Sequence, residues 1–598
     1  MNNNLNKAIN ALCLLLFLIL ISFPIFQILS RYISFFSIPA SQEIVQHMTL
    51  WIGFVGAVIA ARSNKLLSVV REPVFRSDKN ISLTQFLVHI FSVSIVFVLS
   101  VSYLKMIQIG IQYPENIAPF IPTWLAQSII PLGLILIWYQ MILTSSSDLK
   151  YKLFLAIFSI IPTIVLYFWQ FPLANPLFLW TKVLFAIGLV AFGLPIFVLL
   201  ASLSIFFFLS EPSDWATNFD LISTISDSAY RIVVSPTLAA IPIFTLAGYI
   251  LAESKISERL INFFKSSVGW IPGSTVLIVV LLCAFFTALT GGSGVTILAL
   301  GAILYPILIH DGYSERFSLG IITTAGSLGL LFPPSLPAII YSVTAGINPL
   351  ELFRQAFIPA IFLMSIMFFY GLYKRPKVRK IEKFDLSKAL NSANIAKWEI
   401  AIPILIILSL FTGFATLVES AALLVLYVIS VELFIYKDIS MKDLPKIVIN
   451  CATLVGGVLI ILGFAMGFTG YLVDAQIPLK ILNYVQSTIS SKIIFLLALN
   501  ILLLIVGCLM DVFSAIIVVV PLIAPLATYF GIDPFHLAII FIANLELGYI
   551  TPPVGMNLYL SSYRFEKDMP TIYNATLPFF FIRLIGVLLI TYIPLFFY

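Results

Sequence analysis

PILIHDGYSERFSLGIITTAGSLGLLFPP occupies residues 306–334, and PLATYFGIDPFHLAIIFIANLELGYITPP occupies residues 525–553. Laid together without gaps at an offset of 219, they share Pro306/Pro525, Gly312/Gly531, Gly329/Gly548, Pro333/Pro552 and Pro334/Pro553. Shared leucines in apolar stretches mean little. Shared prolines and glycines mean more, because each dictates a feature of the backbone: a missing donor, or a φ that other residues avoid. A fainter echo pairs Ala247-Gly248-Tyr249 with Thr469-Gly470-Tyr471. The chain reads as a duplication, with repeats over about 235–373 and 449–575.

The rest of the chain says where such repeats must sit. Of 598 residues 61% are hydrophobic and only 10% charged, against about a quarter charged in soluble domains. With a mean hydropathy of +1.08 the chain cannot hide its apolar surface from water, so it is a polytopic membrane protein. Cys13, Cys283, Cys451 and Cys508 all lie in apolar stretches and read as small hydrophobes, and the four histidines are scattered without ligand spacing. No P-loop, Ser-His-Asp spacing or dinucleotide fingerprint is present, and no Ser/Lys, Asp/Asp or HExxH pair lies in the spans. These absences speak against an ATP-driven pump and an intramembrane hydrolase, and a channel would be expected to show pore-lining repeats in a symmetric oligomer.

Apolar runs mark spans near 8–29, 45–61, 86–105, 123–143, 153–171 and 178–209. The first is too long for a signal-peptide core and reads as a retained helix. Connector 62–80 carries Arg62, Lys65, Arg71, Arg76 and Lys79, which places it and the N-terminus in the cytoplasm. The basic stretch 374–397 reads as a second cytoplasmic loop.

Within each repeat the spans are interrupted. Run 274–309 is uncharged yet broken by Thr290-Gly291-Gly292-Ser293-Gly294, which predicts a re-entrant hairpin with its tip there. Pro333 and Pro334 then break the next helix. The second repeat predicts a hairpin over 493–529, its tip within Gly507–Ser514, and a break from Gly548 to Pro553. Exposed backbone at membrane depth is tolerated only where it is buried or lines a cavity, which makes the breaks candidate sites: carbonyls and hydroxyls for Na⁺, helix N-termini for a carboxylate.

The first half offers only Ser293, Thr296, Ser335 and backbone oxygens, since 280–309 and 317–350 contain no Asp, Glu, Lys or Arg. The second half contains intramembrane carboxylates, which default to functional readings. Asp511 at the hairpin tip is the expected ion ligand. Glu546 is expected to bind an ion or cap backbone, and Glu419 is read as either an ion ligand or a structural hydrogen-bonding group. No Arg or Lys lies in either break, and the first cations to follow them in sequence are Arg354 and Arg564.

These motifs resemble the tripartite ATP-independent periplasmic (TRAP) transporters, with small and large permease subunits fused. The large-subunit likeness spans about 178–598 and rests on IPIFTLAGYIL (241–251), GGSGVTILALG (291–301), GSLGLLFPPSLPAIIY (326–341), LVESAALLVLY (417–427), GCLMDVFSAIIVVVPLIAPLA (507–527) and LGYITPPVGMNLYL (547–560). The small-subunit likeness spans about 1–145 and rests on four spans and TLWIGFVGAVIAARSNKLLSV (49–69). Residues 146–177 would supply the extra crossing that joins them.

The resemblance implies an all-α elevator-type fold with two inverted repeats, and uptake of an organic acid anion (a dicarboxylate, a sialic acid or another carboxylated molecule). That uptake would be coupled to two or more Na⁺ and fed by a periplasmic substrate-binding protein at the bacterial inner membrane. By the same resemblance, Na⁺ sites fall on Ser293, Gly294, Gly329 and Ser335, and on Asp511, Ser514, Gly548 and Thr551. Substrate contacts fall on Gly292, Thr296, Pro334, Pro553 and Asn557. The alternative is a Na⁺/dicarboxylate symporter that needs no binding protein.

Overall fold

A computed structural model describes residues 2–33, 38–66, 83–119, 121–168, 193–210, 217–376, 384–489, 491–552 and 555–596, with positions 181, 184, 185, 188 and 189. Arg71, Arg76, Lys79, Lys377, Arg379, Lys380, Lys383 and Pro553 lie outside the described residues, as does 169–180. Among those described, twelve helices are long and apolar enough to cross a bilayer, or up to 14 if each of two bent pairs is one span. The chain divides into two compact units, one of 1–242 with 448–477 and the other of 243–447 with 478–598.

The first unit contains α1 (Asn2–Ser30), α2 (Ser41–Arg62), α3 (Leu83–Gln112), a short antiparallel pair β1 (Asn116–Ala118) and β2 (Ile121–Pro122), α4 (Thr123–Gln127), α5 (Ile129–Ser145), α6 (Leu149–Phe158), α7 (Ile161–Phe168), α8 (Ile196–Leu209) and α9 (Asn218–Val233). Helices α6 and α7 form one apolar stretch from Leu149 to Phe168, where the sequence places its extra span at 153–171. Of the span expected over 178–209, the described helix is α8.

Most of α20 (Leu444–Asp474) joins this unit, and it meets α2 backbone to backbone. A Cβ on Gly56 would lie 3.0 Å from Gly456 Cα, and one on Gly53 would lie 3.3 Å from Leu459 Cβ. Lipid gives apolar helices no hydrophobic reason to associate, so close packing of small residues carries the contact. Gly133 of α5 likewise abuts Phe54 of α2, at 2.8 Å from its Cβ.

The second unit holds the hairpins and broken helices of both repeats. The first consists of α10 (Ala240–Glu253), α11 (Ile256–Val268), α12 (Ser274–Thr290), α13 (Ser293–His310), α14 (Glu315–Ala325), a 3₁₀ turn (Leu328–Leu331), α15 (Leu336–Ala345) and α16 (Pro349–Tyr373). After α17 (Leu386–Ile395), α18 (Lys397–Phe411) and α19 (Leu417–Ser430) come α20 and the counterparts of the first set. These are α21 (Ile477–Thr488), α22 (Lys492–Leu509), α23 (Val512–Tyr529), α24 (Pro534–Gly548), α25 (Met556–Phe565) and α26 (Met569–Tyr592).

The offset of 219 read from prolines and glycines carries through the helices. It relates both ends of α13 to α23, the starts of α14 and α24, and the last residues of α16 and α26. The second repeat therefore runs to Tyr592, beyond the expected 575, and Pro359 of α16 and Pro578 of α26 stand at that same offset. Both hairpins form as expected, their legs joined by Gly291-Gly292 and by Met510-Asp511. The first broken helix bends by 44°.

Replacing Gly56 by Leu should overpack the α2–α20 contact. The expected loss is about 1–3 kcal/mol, read as a lower thermal unfolding midpoint of the detergent-solubilised protein.

Candidate functional site

In each repeat a hairpin tip is built against the interruption of the following helix. In the first, Gly291 adopts φ 68°, a left-handed conformation, and a Cβ there would strike the Leu336 side chain just beyond the break. Gly329 leaves no room above α12, where a Cβ would sit 2.6 Å from the Ala288 amide nitrogen and 2.7 Å from Thr287 Cβ. The hydroxyls form a relay: Thr287 donates to the Gly326 carbonyl at 2.6 Å, and Thr296 reaches Thr287 at 2.6 Å. With the Thr287 proton given to Gly326, Thr296 must be the donor between the two. The Thr296 proton is therefore committed within the protein, so a substrate could meet only its lone pairs.

Ser335 caps α15, donating to the Leu330 carbonyl and accepting from the Ala338 amide at 3.4 Å. Ser293 is different. It is buried at the first position of α13, and its hydroxyl has no partner. Gly292 precedes it in extended conformation and supplies no side-chain cap. Gly294 lies under α25, where a Cβ would be 2.8 Å from Leu560 Cδ1.

In the second repeat Gly548 presses on α22, so a Cβ would come within 2.6 Å of Gly507 Cα. Asp511 caps α23. Its Oδ1 accepts from the amides of Phe513 at 3.0 Å and Ser514 at 3.1 Å, and its Oδ2 accepts from the Ser514 hydroxyl at 2.5 Å. Across the break, the Val512 amide donates to the Tyr549 hydroxyl at 2.5 Å and the Gly555 amide to the Cys508 carbonyl at 3.2 Å. Thr551 donates to the Leu547 carbonyl at 2.8 Å. Asn557 joins the two repeats by donating to the Thr323 carbonyl at 3.1 Å, which leaves its buried amide oxygen unpartnered. Thr323 also donates to Ser561 at 2.8 Å.

Other expectations change. Glu546 is fully buried, ion-paired to Arg583 of α26, which is also fully buried, and the backbone of Leu331 at the first break lies against it. Arg354 and Arg564 are the next cations after the breaks in sequence, but Arg583 is the one hydrogen-bonded to Glu546 and Ser327 just ahead of them. It stands alone in the apolar run FFFIRLIGVLLI, and a lone arginine at membrane depth was the signal that could have found it. Glu419 takes the structural reading. Thr416 and Glu419 form a capping box, with the Thr416 amide donating to Glu419 at 2.8 Å. Pro334 lines an apolar cavity of about 500 Å³ together with Phe263, Phe285, Phe332 and Phe357, surroundings that offer a substrate anion little besides Arg354.

Comparison with known proteins fits this duplicated, interrupted architecture. Residues 183–596 match the family model described as the tripartite ATP-independent periplasmic transporter, DctM component, and residues 20–150 match that of the DctQ component. The chain belongs to the TRAP transporters. It is a fused permease carrying both membrane components.

This TRAP permease is 34% identical over 361 residues to the C4-dicarboxylate TRAP transporter large permease protein DctM of Pseudomonas aeruginosa, covering 60% of this chain and 84% of that one. It is 29% identical over 377 residues to the isethionate TRAP transporter permease protein DctMQ of Oleidesulfovibrio alaskensis, covering 62% and 59% of the two chains. It is 26% identical over 416 residues to the ectoine TRAP transporter large permease protein TeaC of Halomonas elongata, covering 68% and 95%.

The cap at Asp511 can be separated from its charge. Asp511→Ala should cost about 1 kcal/mol through loss of the cap, whereas Asp511→Asn, which still caps, should cost almost nothing. Thermal unfolding in Na⁺-free buffer reads the difference.

Proposed function

We propose that this permease uses an inward Na⁺ gradient to take up a small organic acid anion handed over by a periplasmic binding protein. The observation that carries the reading is a difference between equivalent positions. At the offset of 219, Gly292 corresponds to Asp511. The N-terminus of α23 is closed by its own carboxylate, while that of α13 has no side-chain cap and an unpartnered serine hydroxyl beside it. An uncapped helix start offers amide donors and the positive end of the helix dipole to an anion.

The Asp511 end offers a carboxylate among neutral oxygens of Ser514, Gly548 and Thr551, chemistry suited to a small monovalent cation. Around the first break, Ser293, Gly294, Gly329 and Ser335 supply only neutral oxygens. With no titratable group there, Na⁺ is favoured over H⁺. Gly292 and Asn557 are the substrate contacts best supported by geometry, since one opens the helix end and the other holds a free buried amide oxygen. The names of relatives extend the candidate cargo to C4-dicarboxylates, isethionate and ectoine.

In this reading the hairpins and interrupted helices, all in the second unit, form the part that moves in an elevator cycle. The N-terminal helices brace the scaffold, and the N-terminus is cytoplasmic. The orientation is tested with single cysteines and an impermeant maleimide in intact cells. Asn116→Cys, exposed in β1, should label, whereas Asn4→Cys should label only after permeabilisation.

Uptake is tested in proteoliposomes with an imposed Na⁺ gradient, a panel of organic acids, and the binding protein present or omitted. Uptake requiring both Na⁺ and the binding protein is expected, and Asp511→Asn should reduce it at least tenfold even though the variant folds, because an intramembrane charge is lost. Uptake with Na⁺ alone would move the chain to the class of symporters that need no binding protein.

A further inference from the structure

Glu546, near the end of α24, and Arg583, within the apolar α26, bury opposite charges with no exposure. A buried ion pair is a weak device for stability, since well-packed apolar residues in its place often serve as well or better. Its position is more informative. Glu546 stands two residues before Gly548, where the second helix breaks. At the offset of 219 its counterpart is Ser327, two residues before Gly329 in the first break.

Arg583 touches both. Its Nη2 donates to Glu546 Oε2, and its Nη1 lies 3.5 Å from Ser327 Oγ. One guanidinium thus spans equivalent points of the two repeats, each just ahead of the glycine that seats a break against its hairpin. Its planar fork suits that geometry, because two nitrogens held at a fixed angle can reach two partners at once, which a lysine ammonium on a flexible stem does less well.

We propose that Arg583 is a positioning residue that ties the two breaks together, so that an ion bound at one tip favours the binding-competent shape of the other. This deepens the function proposed above and rests on its two ion sites. Arg583 does not itself touch ion or substrate. A Na⁺ ion at the second tip draws on the oxygens of Gly548 and Thr551. Any shift of that segment moves Glu546, the guanidinium follows its partner, and Ser327 carries the displacement to Gly329. Coupling of this kind needs a physical element whose arrangement both sites bias, and the tie supplies it.

The test is Na⁺ titration of uptake in proteoliposomes containing the full chain and its binding protein. The variants are Arg583→Lys, which keeps a charge for Glu546 but loses the fork, and Ser327→Ala, which keeps the ion pair but cuts the other arm. The unaltered protein should titrate with a Hill coefficient above 1. Both variants should retain uptake at saturating Na⁺ and a near-normal unfolding midpoint without Na⁺. Their half-saturating Na⁺ should rise roughly threefold, the scale of one lost hydrogen bond, with the Hill coefficient falling toward 1.

Two folded variants that titrate as steeply as the unaltered protein would overturn the tie and leave the Na⁺ reading standing. An unaltered protein whose uptake ignores Na⁺ would overturn the two-site reading, and this proposal with it. Should Arg583→Lys fail to fold, Ser327→Ala alone decides.

Discussion

Backbone groups at membrane depth have no water to bond, and that constraint shapes the centre of this molecule. Four interruptions, two hairpin tips and two broken helices, free carbonyls and amides where lipid would punish them. The repair is local. Thr287 satisfies Gly326, Ser335 satisfies Leu330, Thr551 satisfies Leu547, and the Val512 and Gly555 amides find Tyr549 and Cys508. Each repair joins a tip to a break or one lip of a break to its own helix. Gly329 and Gly548 permit it because any side chain there would hold the break away from the hairpin.

Both halves share this scaffold, but only the second carries charge at its hairpin tip and just ahead of its break. Gly292 faces Asp511 in the alignment, and Ser327 faces Glu546. A carboxylate in a neutral frame must be compensated. Asp511 is served by two amides and a hydroxyl, the donor set of a helix start. Glu546 lies inside a helix whose amides are already spent, so it requires a cation, and α26 provides Arg583. The first half needs no counterpart: the residue of α16 that aligns with Arg583 is Met364.

This difference in how groups are satisfied explains what could be read from the sequence. Proline and glycine act on their own backbone, so the hairpin tips, the breaks and the repeat offset were legible from residues alone. Asp511 was legible for the same reason, as an acid at a turn that opens a helix. The partner of Glu546 was not, because it depends on which helix lies alongside, and Arg354 and Arg564 are nearer the breaks in sequence. The committed proton of Thr296 and the apolar cavity beside Pro334 likewise depend on packing. The end of the second repeat was legible too: Pro359 and Pro578 stand at the offset of 219, a landmark that carries the alignment beyond the expected 575.

On the proposed reading, the same charge arithmetic gives a reason for coupling. Glu546 and Arg583 cancel, which leaves Asp511 as the one uncompensated charge among the proposed contacts. A single Na⁺ beside it makes the second half neutral. A further Na⁺ at the first break would bring an uncompensated positive charge into a low-dielectric region, and an anion at the uncapped end of α13 would bring an uncompensated negative one. Bound together, one Na⁺ and a monoanion cancel, and each offsets much of the other's desolvation cost. The carrier is then electrically comfortable either with Na⁺ at Asp511 alone or fully loaded, and a half-loaded first site is the state that membrane depth disfavours. Occupation of the first site by Na⁺ without substrate is thus suppressed by electrostatics before any moving part is considered.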